Sequence, residues 1–161
     1  MSYFLATTSP AETAKYVLQS SHTSTSGTEE QIPLSDFTAT STMTGISITG
    51  DNLVINREGT YLITNRFFSR DNVTSGSSAD ISINVRDGGA SPLPILENSR
   101  YNVGKPSSSY CRISHEFTMI FKVDSGSTKT LYYSTASSIG AVVLYGDALG
   151  EYTSIEIMRV E

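Results

Sequence analysis

The stretch YCRISHEFTMIFKV, residues 110–123, alternates with a period of two. Cys111, Ile113, His115, Phe117, Met119, Phe121 and Val123 fall on one side, and Tyr110, Arg112, Ser114, Glu116, Thr118, Ile120 and Lys122 on the other. Successive side chains of a strand point to opposite faces, so the segment is a long strand with one largely apolar face. Asp124-Ser125-Gly126-Ser127 follows with capping side chains and a permissive glycine, and Lys129 to Thr135 resumes with Leu131, Tyr132 and Tyr133. The pattern predicts an antiparallel hairpin.

The same grammar recurs upstream. Ile81, Ile83 and Val85 alternate with polar residues before Asp87-Gly88-Gly89. Thr60 to Ser69 puts Tyr61, Ile63 and Phe67 on one face and Leu62 and Phe68 on the other, the signature of a central strand covered in part on both sides. Shorter strands are expected at Lys15–Gln19, Ile46–Ile48, Leu53–Ile55, Pro92–Leu96, Ala141–Tyr145 and Tyr152–Val160, each bounded by turn residues. Nothing between them has helical periodicity. Eight to ten short strands without helices predict an all-β, two-sheet antiparallel sandwich of Greek-key or jelly-roll type.

The 161 residues are enough for one well-buried core, which places a single domain at 14–161 behind an N-terminal arm at 1–13. The polar run Ser20 to Gln31 reads as a loop. Charged residues make up only 17%, and nine Tyr and six Phe stand against no Trp, a composition suited to half-buried pleated surfaces. A net charge of -5 without any Lys/Arg cluster argues against nucleic acid as a partner. No segment has the length of a membrane span, and the first residues lack the basic and apolar runs of a signal peptide. The expected product is made in the cytoplasm, with no membrane partner. Cys111 is the only cysteine, so no intrachain disulfide can form.

Catalytic constellations are weak. Cys111 and His115 are four residues apart, about 13 Å along a strand, too far for a nucleophile–base pair. No Gly-x-Ser-x-Gly elbow accompanies the many serines, and His22 and His115 with one cysteine make no tetrahedral metal set. No catalytic residue, metal or cofactor is expected, and the chain is not read as an enzyme. His115 on an apolar face could meet two copies of itself at a three-fold axis, although a hydrogen-bonded core or interface histidine is the plainer reading. Asp51, Asp87, Asp124 and Asp147 lie in predicted turns, where capping explains them more simply than calcium. The surplus tyrosines suit a subunit interface better than a ligand pocket.

Gly50-Asp51-Asn52-Leu53-Val54-Ile55-Asn56-Arg57-Glu58-Gly59-Thr60-Tyr61-Leu62-Ile63 is a short strand, a turn ending in Gly, and a Tyr-led central strand. It resembles the trimeric jelly-roll superfamily of tumour necrosis factor and the complement globular head. Ile81–Val85, Phe117–Val123 with Thr130–Tyr133, and Tyr152–Val160 fall in that family's order. The resemblance covers roughly residues 14 to 160 and implies a homotrimer. Without a stalk or signal peptide, the chain looks more like the compact jelly-roll proteins of bacteriophage particles. It therefore implies a capsid decoration or cement protein on the virion surface, with the major capsid protein as partner. The alternative is a receptor- or carbohydrate-binding tip of a phage fibre or surface protein. Trimer-interface candidates are His115, Phe117, Phe121, Tyr132 and Tyr152, and capsid-contact candidates are Tyr3, Phe4 and Leu5 in the arm.

Overall fold

The computed structural model describes residues 12–24, 28–71, 79–88, 94–103, 111–138, 141–146 and 153–160. Among them the strands run in chain order β1 (Thr13–Leu18), β2 (His22–Thr23), β3 (Glu30–Gln31), β4 (Phe37–Ser41), β5 (Ile46–Thr49), β6 (Asn52–Ile55) and β7 (Gly59–Asp71). They continue with β8 (Ala79–Asp87), β9 (Ile95–Val103), β10 (Cys111–Val123), β11 (Lys129–Ser137), β12 (Val142–Leu144) and β13 (Ser154–Arg159). A single 3-10 turn, Leu34–Asp36, precedes β4.

The strands form two antiparallel sheets. Sheet A has β7 at its centre, with β10 along one edge of it and β12 and β13 along the other; β1 and β4 continue beyond β13, and β2 caps β12. Sheet B runs β5-β6-β11-β8-β9, with β3 extending the β6 side of β11. This is the expected jelly-roll sandwich, with the Tyr61 strand in the centre. The pattern of alternation explains why. Tyr61, Ile63, Asn65, Phe67 and Ser69 of β7 are buried, as are Ile81, Ile83 and Val85 of β8 and Leu131, Tyr133 and Thr135 of β11. These faces meet to make the core, where Phe67 lies 6.4 Å from Phe37 and 6.1 Å from Tyr133, ring centre to ring centre.

The two tyrosine hydroxyls of that layer are paired. The Tyr133 hydroxyl of sheet B donates to Asn65 Oδ1 of sheet A at 2.9 Å, and burial pushes that hydroxyl far above its ordinary titration range. The Tyr61 hydroxyl donates to the Arg57 carbonyl at 2.7 Å, which pins the turn entering the central strand.

Three expectations need correction. The turn Asp124–Ser127 does reverse the chain, with Gly126 at φ 73° and Ser127 N–H donating to the Asp124 carbonyl at 3.0 Å. It is not a hairpin, however, because β10 pairs with β7 and β11 pairs with β6 and β8. Turn chemistry specifies a reversal, whereas the apolar face of β10 needs an opposing sheet about 10 Å away, so the chain crosses the core instead of pairing back. The strand placed at Pro92–Leu96 runs instead over Ile95–Val103; its Glu, Asn, Ser and Arg belong to an edge, where alternation is weak. The Ser20–Gln31 run contains two short strands, β2 on sheet A and β3 on sheet B, so it is a strap that joins both sheets.

Gly146 is packed against that strap. A Cβ there would lie 2.6 Å from the Ser20 carbonyl carbon and oxygen and 2.7 Å from the Ser20 nitrogen, all backbone atoms, so the chain at Ser20 would have to shift. Gly146→Ala should therefore destabilise the fold by about 1–3 kcal/mol, read as a lower urea midpoint at unchanged slope.

Candidate assembly surfaces

The sequence pointed to residues on β10, and the structure divides that strand into two unlike faces. Its register with β7 pairs His115 with Phe67, Phe117 with Asn65 and Phe121 with Tyr61, so these candidates point between the sheets. The intervening Glu116, Thr118, Ile120 and Lys122 point outward.

The outward face of sheet A carries a transverse apolar row. Thr13 pairs with Met158, Met158 with Leu62 and Leu62 with Ile120, so one line crosses β1, β13, β7 and β10. Ile120 is 75% exposed and Val160 is 50% exposed beyond the end of β13, while Leu62 and Met158 are half-buried. A polar row flanks it, with Arg66 bonded to Glu116 at 2.9 Å. Sequence reasoning missed Ile120 because it lies on the polar phase of its strand. The available signal was its being the lone aliphatic residue on that phase.

A second apolar surface lies at the side of the sandwich, where β9 and β10 run beside each other as the edges of opposite sheets. Tyr101 is exposed there, Ile95 and Leu96 are exposed at the start of the same strand, and Ile113, Phe117 and Phe121 of β10 pack on the core but remain half-buried. Between them His115 is fully buried. Its Nδ1 lies 3.2 Å from Ser99 Oγ on β9 and its Nε2 lies 3.2 Å from Ser69 Oγ on β7, while Tyr101 meets the ring edge-on at 5.0 Å. Burial pushes the imidazole down to about 4, against a smaller opposing pull from the Ser99 main chain. Both ring nitrogens are engaged within the subunit, so His115 does not present a nitrogen to copies of itself.

The remaining candidates fall elsewhere. Tyr132 lies on the outer face of sheet B near Glu29 and Arg86, and burial raises its hydroxyl. Tyr152, Tyr3, Phe4 and Leu5 lie outside the described residues, as does Asp147. Asp51 Oδ1 accepts from Ser35 Oγ at 2.6 Å, and Asp124 sits 3.4 Å from Lys122, so both serve turns. Among the described residues no three His, Cys, Asp or Glu side chains converge. His22 and His115 are held apart by β12 and β7. A cavity of about 220 Å³ lined by Glu58, Lys122, Asp124 and Arg159 opens at one end, its two cations matched by two carboxylates. No helix among the described residues is long and apolar enough to cross a membrane.

No protein-family model matches the sequence, and no curated protein resembles it significantly. Solved structures do. The chain is similar to the Eiger TNF structure from S. frugiperda, with a TM-score of 0.67 at 9% identity over 95% of this chain and 94% of that one. It is also similar to murine APRIL at pH 5.0, with a TM-score of 0.61 at 12% identity over 94% of this chain and all of that one. A murine APRIL structure at pH 8.0 gives 0.61 at 10% identity. The jelly-roll architecture of the tumour necrosis factor type is therefore shared across the described sandwich, and at such identities it is the fold alone that is shared.

The strap carries a two-pronged ion pair. Arg86 Nε and Nη2 donate to Glu29 Oε1 and Oε2 at 2.7 and 2.6 Å, with Asn84 Nδ2 at 3.3 Å and the Ser134 hydroxyl also donating to Oε1. The Arg86 bond, ahead of all other causes, holds the Glu29 carboxyl below its usual range. Glu29→Gln should cost on the order of 1 kcal/mol once solvent screening of this part-exposed group is allowed for. A lowered carboxyl contributes above its ordinary value of 4.5 and loses that contribution as pH falls through its folded value. The urea midpoints of wild type and Glu29→Gln should therefore differ near neutrality and converge in acid.

Proposed function

We propose that this chain is a non-catalytic structural module that assembles into a homotrimer and decorates a capsid, strengthening the particle by bridging neighbouring capsid subunits. One observation carries the self-association: a single subunit bears two unlike apolar surfaces, the Ile120–Leu62–Met158 row and the β9–β10 side. A two-fold dimer needs only one self-complementary patch. Two different patches fit a head-to-tail contact, which closes into a ring when the rotation between subunits allows. Three subunits is the ring size that the resemblance to the trimeric jelly-roll superfamily implies.

The half-buried state of Leu62 fits this reading, since the second subunit would complete the cover over the outward face of the central strand. A trimer suits a three-fold point of a capsid lattice, where three equal and modest contacts with the major capsid protein reinforce one another through effective concentration. Glu12 still pairs with β13, its carbonyl accepting from Arg159 N–H at 3.0 Å. Tyr3, Phe4 and Leu5, which precede Glu12 in the chain, are the proposed capsid-contact segment. The site of synthesis in this reading is a host cytoplasm, and the destination is the virion surface.

Light scattering behind size exclusion should give about 52 kDa, three times the 17.4 kDa subunit. Ile120→Lys places a charge on the exposed row and should return the mass to one subunit while circular dichroism and cooperative melting persist. The wild type should co-sediment with capsids and Ile120→Lys should not. A stable wild-type monomer that ignores capsids overturns the proposal; glycan binding by that monomer, lost on Tyr101→Ala, would replace it with the receptor-tip reading.

A further inference from the structure

The β9–β10 side has a feature that an ordinary apolar interface lacks. Its two strands belong to different sheets and exchange no backbone ladder, so side chains must hold them together. His115 does this: it bridges Ser99 on β9 and Ser69 on β7, and Tyr101 covers its edge. We propose that His115 is an acid-sensitive latch, whose protonation releases β9 from β10 and so dismantles the surface on which the neighbouring subunit sits.

Unbalanced charge would drive the release. A neutral imidazole can donate from one nitrogen and accept at the other, which two serine hydroxyls satisfy. An imidazolium in the same place has two donors and a full charge, with no carboxylate bonded to it. The groups packed around it come from three strands. On β7 these are Phe67 opposite and Ser69, with Asn65 occupied by Tyr133. On β10 the inward neighbours are Ile113 and Phe117. On β9 they are Ser99 and Tyr101, and the Glu97 carboxylate, the acidic group nearest in register, accepts from its own neighbour Asn98 N–H at 3.0 Å. The Asp80 carboxylate is on the outer face, held by Arg100 at 2.7 Å and Asn102 at 2.9 Å, and the Arg100 bond keeps it below its usual range.

Water is the stabiliser left to the cation, and Tyr101, which covers the ring edge, is itself 43% exposed. Opening there separates the sheet edges without disturbing the Phe67–Tyr133 core. The sign follows from the lowered basicity. The closed form stays neutral between pH 6.5 and about 4 while the opened form takes up a proton, so closure weakens as pH falls through that window. Ten-fold per pH unit over that span is a shift of up to about 300-fold toward the open form.

The inference rests on the trimer reading, and two measurements separate their fates. Hydrogen exchange of the β9 amides, followed from pH 7.5 to 4 and corrected for intrinsic rate, reports the latch in a monomer or a trimer. It should rise steeply below pH 6.5 in wild type and in His22→Gln, and stay flat in His115→Gln. Light scattering over the same range should show the wild-type trimer dissociating while His115→Gln holds. Should His115→Gln fail to fold, Tyr101→Ala serves instead, since water admitted to the closed ring restores its ordinary basicity and should flatten the acid dependence of β9 exchange. Equal acid exchange in wild type and His115→Gln, or no change in Tyr101→Ala, overturns the latch. A protein that is monomeric at pH 7.5 but shows His115-dependent β9 exchange overturns the trimer and keeps the latch.

Discussion

Two sheets packed face to face must end somewhere, and among the described residues they end on one side in β9 and β10, neither of which pairs with a further strand there. A long free edge is a hazard, because its row of backbone donors and acceptors and its adjoining apolar side chains invite contact with other chains. The chain meets this constraint by holding the two edges near each other through side chains and by lining the gap with aromatic residues, Tyr101, Phe117 and Phe121. The rest of the architecture is consistent with that arrangement. The core is deepest around Phe67 and Tyr133, and burial thins toward the β9–β10 side.

Two polar pairs inside the sandwich follow one logic. Asn65 with Tyr133 and His115 with Ser99 each link a residue of one sheet to a residue of the other. Hydrophobic packing is non-directional and would tolerate a sliding of the sheets, whereas a buried hydrogen bond is costly to leave unmade and so fixes one alignment. The strap from His22 to Gln31 adds a third tie, with Ser24 bonded across to Val142 on sheet A and Glu29 gripped by Arg86 and Ser134 on sheet B. Of the three, the histidine tie is the one whose group gains a charge, instead of losing one, as pH falls.

The two unlike surfaces of the subunit have one structural origin. β10 is an edge strand of sheet A, so its inward face opens partly to the side while its outward face continues the surface made by β7, β13 and β1. A single strand therefore contributes Phe117 and Phe121 to one surface and Ile120 to the other. This is why choosing one phase of its alternation as the interface captures half of the geometry at most.

The sequence by itself determined the fold class, the central place of the Tyr61 strand and most strand positions, because alternation of apolar and polar residues is a local property that burial of one face enforces. Turn residues were equally legible at Gly50, Asp124 and Gly126, where the chain reverses. Tertiary structure alone decided that β10 and β11 lie in different sheets, since a reversal does not specify a pairing partner. It also showed that Ser20–Gln31 is a strap whose glutamate finds an arginine 57 residues away, and that His115 is spent inside the subunit. Pattern reports which face of a strand is buried, but what lies across from it depends on pairings distant in sequence, and those are set only when the sheets close.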